Sequence, residues 1–370
     1  MRVALVHDWL TGMRGGEKCL EVLCDLFPTA DIFTLFRRRG SVSPAIEAHR
    51  IETSFIQRLP FVETHYRRYL PLFPAAVEQF DLDPYDLVVS TSHCAAKAAI
   101  APGRARHLCY CFSPMRYAWD QFDAYFGADR VGAAARRWVY RPVMARMARW
   151  DAATAHRVDR FVAISQYVAG RIHRYYNRDA TVVYPPVDTE FYRPSDVAPD
   201  RHFLIVSALV PYKRIDLAID ACRVAGARLR IVGEGPERES LMRQAGPDVE
   251  FRGWLSNEEI RDEYQRAAAV LLPGEEDFGI VPVEAQACGR PVVAFGRGGA
   301  LETVRDGETG VFFDELTPTS LASALERVSA MAIDSHRIRA HAEGFARDRY
   351  AAQMRAVIDE TAGAAADRRW

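Results

Sequence analysis

Lysine is scarce in this chain: Lys18, Lys97 and Lys213 stand among 48 basic residues, the rest being arginine. A lone lysine in such a sequence is a candidate for a task that wants a mobile point charge rather than a planar fork. Long apolar runs are also missing. Although 49% of the residues are hydrophobic, none of the runs approaches the roughly 20 residues that a membrane-spanning helix needs. The opening MRVALVHDWL enters a strand-like run at once, without the charged region, long apolar stretch and cleavage site of a secretory leader, so the cytoplasm is the expected compartment. The seven cysteines are odd in number and scattered, with no paired C-x2-C knuckles and no clustered histidines. That argues against a disulfide framework or a zinc module and for reduced, mostly buried thiols. No strand is followed by G-x-G-x-x-G with an acidic residue about 20 positions on, which argues against a nicotinamide-dependent oxidoreductase.

At 370 residues the chain suits two domains rather than one core. Its formal net charge of -1 conceals an asymmetry: residues 1–190 hold 25 Lys+Arg against 20 Asp+Glu, and residues 191–370 hold 23 against 29. Nine arginines face three acids between residues 101 and 150. This pattern fits either an anionic surface or substrate near the first half, or a solvated helix face.

The pattern of strand, glycine loop and helix starts at Val3–Val6, with Gly12, Gly15 and Gly16 in the loop and a helix expected from about Glu17 to Leu26. It recurs at Asp86–Ser90, His107–Cys111 and Arg160–Ile164. The two prolines of Val182–Asp188 and the polar stretch after Tyr192 mark a connection. Five further strands are expected at Phe203–Val206, Arg228–Val232, Val249–Arg252, Ala269–Leu272 and Pro291–Ala294. The expected class is α/β with two Rossmann-like domains, residues 1–188 and 189–344, facing each other across a cleft lined by strand C-terminal ends. A helix at 345–361 is expected to return to the first domain.

The most informative stretch is Leu271–Gly289, which reads as strand, loop and helix with Glu276 in the loop and Glu284 eight positions on. A helix starting near Ile280 puts Pro282 in the first turn, where its missing N–H costs least. The free amides of that turn suit a pyrophosphate, and the carboxylates suit neutral sugar hydroxyls. This stretch resembles the Glu, seven residues, Glu motif of family 4 retaining glycosyltransferases, which have the GT-B fold. Gly289-Arg-Pro-Val-Val, Gly298-Gly299-Ala-Leu-Glu302 and Asp306-Gly-Glu-Thr-Gly310 follow in that family's order. Val210–Asp216, Ile231–Pro236, Phe251–Trp254, Gly15-Gly16-Glu17 and Ser165-Gln-Tyr also fit, so the resemblance covers nearly the whole chain.

The resemblance implies a donor site in which Glu284 binds the ribose. Glu276, with the amides of Phe278, Gly279 and Ile280, would hold the transferred hexose, and Val281 would also bind the donor. Lys213 would neutralise the diphosphate, as suits a leaving group that gains negative charge. Arg252 and Gly253 would flank the nucleobase, with Gly233 and Gly235 shaping the same wall, unless these glycines are plain turns. Gly15 and Gly16 would approach the donor phosphate or the acceptor. Two positions depart from the family. Ser207-Ala208 stands where members carry Gly-Arg, leaving a phosphate contact absent or supplied elsewhere, for instance by Arg214, and Phe112 stands where members often have histidine.

On the first domain the candidates are His93, at an expected strand end, for catalysis, and the loop Arg116-Tyr117-Ala-Trp119-Asp120 for the acceptor. Aromatics stack on sugar faces, and Arg and Asp pair with hydroxyls or an anionic group, although Trp119 fits a packed loop aromatic as well. Asp81-Leu-Asp83 precedes a strand instead of following one, so it reads as an exposed turn; neither a metal nor a cofactor is expected. Arg136–Trp150 mixes arginines with Trp138, Val139, Val143, Met147 and Trp150 at near-helical spacing. It fits an anionic bilayer surface or an ordinary amphipathic helix, and Arg37–Arg39 with Arg67-Arg68 are candidates for the same patch. The chain looks most like the branch with bacterial O-antigen and exopolysaccharide mannosyltransferases, so GDP-mannose is the leading donor and a glycan or lipid-linked glycan the expected acceptor. The rival reading is a non-catalytic nucleotide-sugar-binding or scaffold subunit of a polysaccharide assembly complex. No nucleic-acid partner is expected.

Overall fold

The computed structural model describes residues 1–127 and 131–363. Arg130, one of the nine arginines of the basic stretch, lies outside them. The chain divides into two compact units, Met1–Pro186 with Tyr350–Trp370, and Val187–Arg349. The expected junctions at 188 and 345 differ from these by two and by five residues.

Among the described residues the first unit carries β1 (Val3–His7), β2 (Asp31–Thr34), β3 (Ile51–Thr53), β4 (Leu87–Ser92), β5 (Arg106–Cys111), β6 (Arg160–Ala163) and β7 (Ala180–Val182). They form one parallel sheet in the order β3-β2-β1-β4-β5-β6-β7. Every residue of β1 and β4 is buried, as a parallel sheet covered on both faces requires, and this is why they read as apolar runs. The short strands β2 and β3 lie toward and at the sheet edge and escaped the sequence reading, since four and three residues with a charge in each carry little pattern.

The second unit carries β8 (His202–Val206), β9 (Arg228–Val232), β10 (Val249–Gly253), β11 (Ala269–Leu272), β12 (Val292–Phe295) and β13 (Gly310–Phe313), parallel, in the order β10-β9-β8-β11-β12-β13. Strand β13 was legible only as part of a glycine motif. Gly310 has to be glycine: a Cβ there would lie 2.0 Å from the Val292 carbonyl oxygen on the neighbouring strand.

In each sheet the order reverses beside the unit's first strand, between β1 and β4 and between β8 and β11. Loops leaving such a pair diverge to opposite sides and leave a crevice at the strands' carboxyl ends, where open α/β sheets bind ligands. Three of the expected site residues lie at the ends of these strands. His93 follows β4, Lys213 lies in the loop after β8, and Glu276 lies in the loop after β11.

Helix starts follow local signals. Ser256 Oγ accepts the Glu259 N–H at 3.3 Å while Glu259 Oε2 accepts the Ser256 N–H at 2.8 Å, a reciprocal cap that starts the helix Asn257–Arg266. The last helix, Arg347–Gly363, packs from Tyr350 onward within the first unit: Tyr350 meets Tyr110 edge to face at 5.4 Å, and Arg160 pairs with Glu360 at 2.7 Å.

Candidate active site

In the second unit, β11 runs into the loop Pro273–Gly279, which ends at Gly279 (φ +89°) and starts the helix Ile280–Ala287. Glycines pin this loop from two sides. The Gly299 N–H donates to the Glu276 carbonyl at 2.8 Å, and a Cβ on Gly299 would come within 2.3 Å of Phe278 Cα. On the other side, a Cβ on Gly274 would lie 2.5 Å from the Tyr212 carbonyl oxygen. The glutamate loop is therefore pressed against the turn Pro211–Lys213, and the Lys213 ammonium donates to Glu276 Oε1. Residues 63 positions apart thus meet as a charge pair.

Gly233 (φ +127°) and Gly235 act one loop further on. Side chains on them would collide with the Ser207 and Leu209 carbonyl oxygens at 2.0 and 2.3 Å. These glycines hold the segment leading to Lys213 in place. The Gly233 N–H also donates to the carbonyl of Gly253, itself at φ +68°, at 2.7 Å. The reading of Gly233 and Gly235 as plain turns is thus replaced by close backbone packing. Arg214 sits at φ +52°, and its guanidinium grips Asp216 at 3.1 Å. Arg252 pairs with Glu250 at 2.8 Å and Glu263 at 3.6 Å. Phe278 is buried edge-on to Phe345 at 5.7 Å, which leaves its backbone as the part suited to a ligand. Gly279, Ile280 and Val281 remain half-buried at the helix start. Glu284 is 5% exposed, and Tyr264 Oη donates to its Oε2 at 2.9 Å.

In the first unit, β1 delivers His7 and Asp8, residues that the sequence reading passed over. Asp8 is fully buried and accepts backbone N–H groups from His93 (2.7 Å), Cys94 (3.0 Å), Ala95 (2.6 Å) and Ala96 (2.8 Å). The His93 Nδ1 lies 3.1 Å from Asp8 Oδ2. Burial alone would raise this carboxyl, but the adjacent His93 and the amides outweigh it and hold it at about 2. An ionised Asp8 accepts the Nδ1 proton, which ties that nitrogen to the carboxylate and leaves Nε2 as the ring's other nitrogen. His93 is half-buried, edge-on to Trp9 at 4.5 Å and tilted against Phe112 at 6.3 Å. His7 Nδ1 meets Thr91 Oγ1 at 2.7 Å, and its Nε2 lies 3.9 Å from Glu17 in the first turn of the helix Gly15–Leu26. Gly16 lets that turn approach, since a Cβ there would stand 3.3 Å from the Phe112 ring. A polar pair directly after an apolar strand was the signal available for Asp8.

The Arg116–Asp120 loop is occupied with its own unit. Trp119 stacks on Tyr175 at 4.6 Å and donates Nε1 to Asp151 at 2.8 Å; Tyr117 Oη lies 2.7 Å from Cys94 Sγ; Asp120 pairs with Arg171 and accepts from Tyr175. Arg116 is half-buried. Asp151 is also the partner of buried Lys97 at 3.1 Å, so Trp119 belongs to a buried polar network. The loop aromatics therefore anchor the loop, in which Arg116, Tyr117 and Trp119 are half-buried and Asp120 is exposed. Asp81 accepts the Asp83 N–H at 3.2 Å in a turn before β4. Among the described residues no group of three or more His, Cys, Asp or Glu side chains is arranged to hold a metal ion.

Two family models match in tandem. "Glycosyltransferase Family 4" matches residues 15–191, and "Glycosyl transferases group 1" matches residues 188–345. The chain is similar to D-inositol 3-phosphate glycosyltransferases of Streptomyces bingchenggensis, 32% identical over 240 residues (55% of this chain, 53% of the relative), and of Segniliparus rotundus, 34% identical over 208 residues (47% and 46%). The match spans about half the length of these curated relatives. In fold it is similar to HepE of Anabaena, crystallised with UDP, with a TM-score of 0.72 at 20% identity, covering 97% of this chain and 100% of that one. The sucrose-phosphate synthase of Thermosynechococcus elongatus gives 0.71 at 17%, covering 97% and 99%.

Proposed function

The chain belongs to the GT-B glycosyltransferases, and on that premise we propose that it transfers a hexose, with retention, from a nucleotide sugar held by the second unit to a glycan or lipid-linked glycan handled by the first. The observation that carries the reading is the meeting of Lys213 and Glu276 beside the half-buried start of the helix that bears Glu284. In this reading the ammonium turns from Glu276 to the diphosphate when donor binds. The released carboxylate then accepts hydroxyls of the hexose, while the first-turn amides of Ile280 and Val281 face the phosphates. Lys213 gains most when the diphosphate leaves, because charge develops there in the transition state. His93, with Nδ1 on Asp8, offers Nε2 to a sugar hydroxyl.

GDP-mannose is the donor we favour, from the resemblance to polysaccharide mannosyltransferases; UDP sugars are its competitors, since HepE, of like fold, was crystallised with UDP. The reading includes peripheral contact with an anionic membrane at its cytoplasmic face. The helix Arg141–Ala153 buries Met144, Met147 and Ala148, while Trp138 just before it is 72% exposed beside exposed Arg137, Val139 and Arg141. Among the described residues no helix is long and apolar enough to cross a membrane.

Thermal unfolding against GDP, UDP, ADP and their sugars tests the donor. A ligand at about 100 times its dissociation constant adds about 2.7 kcal/mol. Stabilisation by one nucleotide family, with release of that nucleotide in the presence of acceptor and EDTA, is expected. Binding without any turnover would favour the non-catalytic subunit, and loss of turnover with chelator, restored by manganese, would overturn the metal-free assignment.

A further inference from the structure

The turn that follows β4 is tied down at both ends. At its start the Asp8 carboxylate takes the N–H groups of His93, Cys94, Ala95 and Ala96. At its end Lys97, 1% exposed, turns inward. Its ammonium donates to the Asp151 carbonyl at 2.5 Å and to Thr154 Oγ1 at 3.0 Å, and lies 3.1 Å from Asp151 Oδ1. The Tyr176 ring lies 4.7 Å from it. The other Asp151 oxygen accepts Trp119 Nε1 at 2.8 Å and Tyr176 Oη at 2.9 Å.

A buried ion pair adds little net stability, because desolvating two charges offsets their attraction, and apolar residues of like volume do as well. What apolar residues lack is direction. Asp151 gives the Trp119 indole and the Tyr176 phenol one fixed acceptor, and Lys97 supplies the charge that offsets it. Burial first, and Asp151 second, hold the Tyr176 phenol in its donor form. The middle of the turn is held from the same loop as Trp119: Cys94 Sγ lies 2.7 Å from Tyr117 Oη, and burial first, then Cys94, keeps that phenol protonated.

Two aromatics of the Arg116–Asp120 loop therefore grip the turn that carries His93, one at Cys94 and one, through Asp151, at Lys97. The helix Gln166–Tyr176 backs this loop, since Trp119 stacks on Tyr175 at 4.6 Å. We infer that Tyr117, Trp119, Asp151 and Lys97 are positioning residues for His93, so that the loop acts on the reaction through the place of that ring. The inference rests on the part given to His93 in the proposed function and adds the groups that hold it there.

Steady-state turnover of GDP-mannose and UDP-glucose, to water or to an alkyl glycoside, and nitrogen-15 spectra of the histidine rings in the full chain provide the test. Trp119→Phe keeps an aromatic ring beside Tyr175 and removes the N–H that Asp151 accepts. Its kcat should fall about tenfold or more, the scale on which small misplacements of a reacting group act, with the donor's KM within about twofold. In a His93→Ala background the same change should add nothing. The His93 ring resonances should move while those of His202, in the second unit, stay in place. Replacing Lys97→Met and Asp151→Leu together leaves neither charge unpaired and should reproduce the kcat loss and the moved resonances. Tyr117→Phe should act in the same sense and carries the test if the other variants fail to fold. Native His93 resonances in a folded variant, or a kcat loss that persists in full without His93, would overturn the inference and leave the proposed function standing. Undiminished turnover in His93→Ala, or none in the native protein, would overturn the part given to His93, and the inference with it.

Discussion

Replacing Asp8 by asparagine probes the first unit's site through its stability. The carboxylate accepts four backbone N–H groups, two on each oxygen, with His93 Nδ1 as a fifth neighbour. An asparagine presents one oxygen and one NH2, so two of those amides face a donor and lose their acceptor. At about 1–3 kcal/mol for each buried donor left unpaired, the loss is about 2–6 kcal/mol, a large part of the roughly 5–15 kcal/mol that holds a domain together. The native carboxyl also titrates at about 2 instead of 3.8. At about 1.4 kcal/mol per pH unit, that depression contributes about 2–3 kcal/mol. Because the folded value lies below the unfolded one, the contribution is complete above about pH 5 and is withdrawn as pH falls from about 4 toward 2. Asparagine cannot titrate, so this part of the acid slope should vanish in Asp8→Asn. Urea unfolding followed by tryptophan fluorescence is the suitable assay. Trp9, Trp119 and Trp150 are half-buried in the first unit, whereas Trp254 of the second unit is 77% exposed. A variant within about 1 kcal/mol of the native protein at neutral pH, or one with an undiminished acid slope, would refute the reasoning.

Lys213→Ala should lower turnover about 100-fold or more, the scale of removing one preorganised electrostatic group; a loss under about threefold in steady-state assays would separate Lys213 from the diphosphate. Glu276→Gln should chiefly lower kcat, because its hexose contacts strengthen toward the transition state, and Glu284→Gln should chiefly raise the donor's KM. The reverse pattern, with Glu276→Gln weakening nucleoside diphosphate binding, would invert the donor orientation. Gly299→Ala forces a Cβ to within 2.3 Å of Phe278 Cα and must displace the Glu276 loop. Donor affinity, read by calorimetry, should fall at least about tenfold with a stability cost of about 1–3 kcal/mol, and unchanged affinity would show the loop position to be immaterial.

The fold class and the positions of most strands along the chain were determined by sequence alone. Buried parallel strands are apolar along their whole length, so β1, β4, β5 and the core strands of the second sheet stand out without any partner on view. The helix start at Ile280 was equally local, set by a glycine at positive φ and a proline in the first turn. Strands β2, β3 and β13 needed the sheet, because three or four residues pair correctly only when a neighbour supplies the register. Tertiary structure alone decided what each candidate side chain meets. Asp8 acquires its role from a loop 85 or more residues away, Lys213 from a carboxylate 63 residues away, and Glu284 from a tyrosine 20 residues back in the chain. Trp119 fitted a sugar-stacking group and a packed loop aromatic equally well in one dimension, and only the fold shows that it, Tyr117 and Asp120 each have a partner inside their own unit. A hydrogen bond or ion pair is a statement about two positions at once. Periodicity describes each position against its chain neighbours, so it marks which residues are buried and leaves open which of them meet.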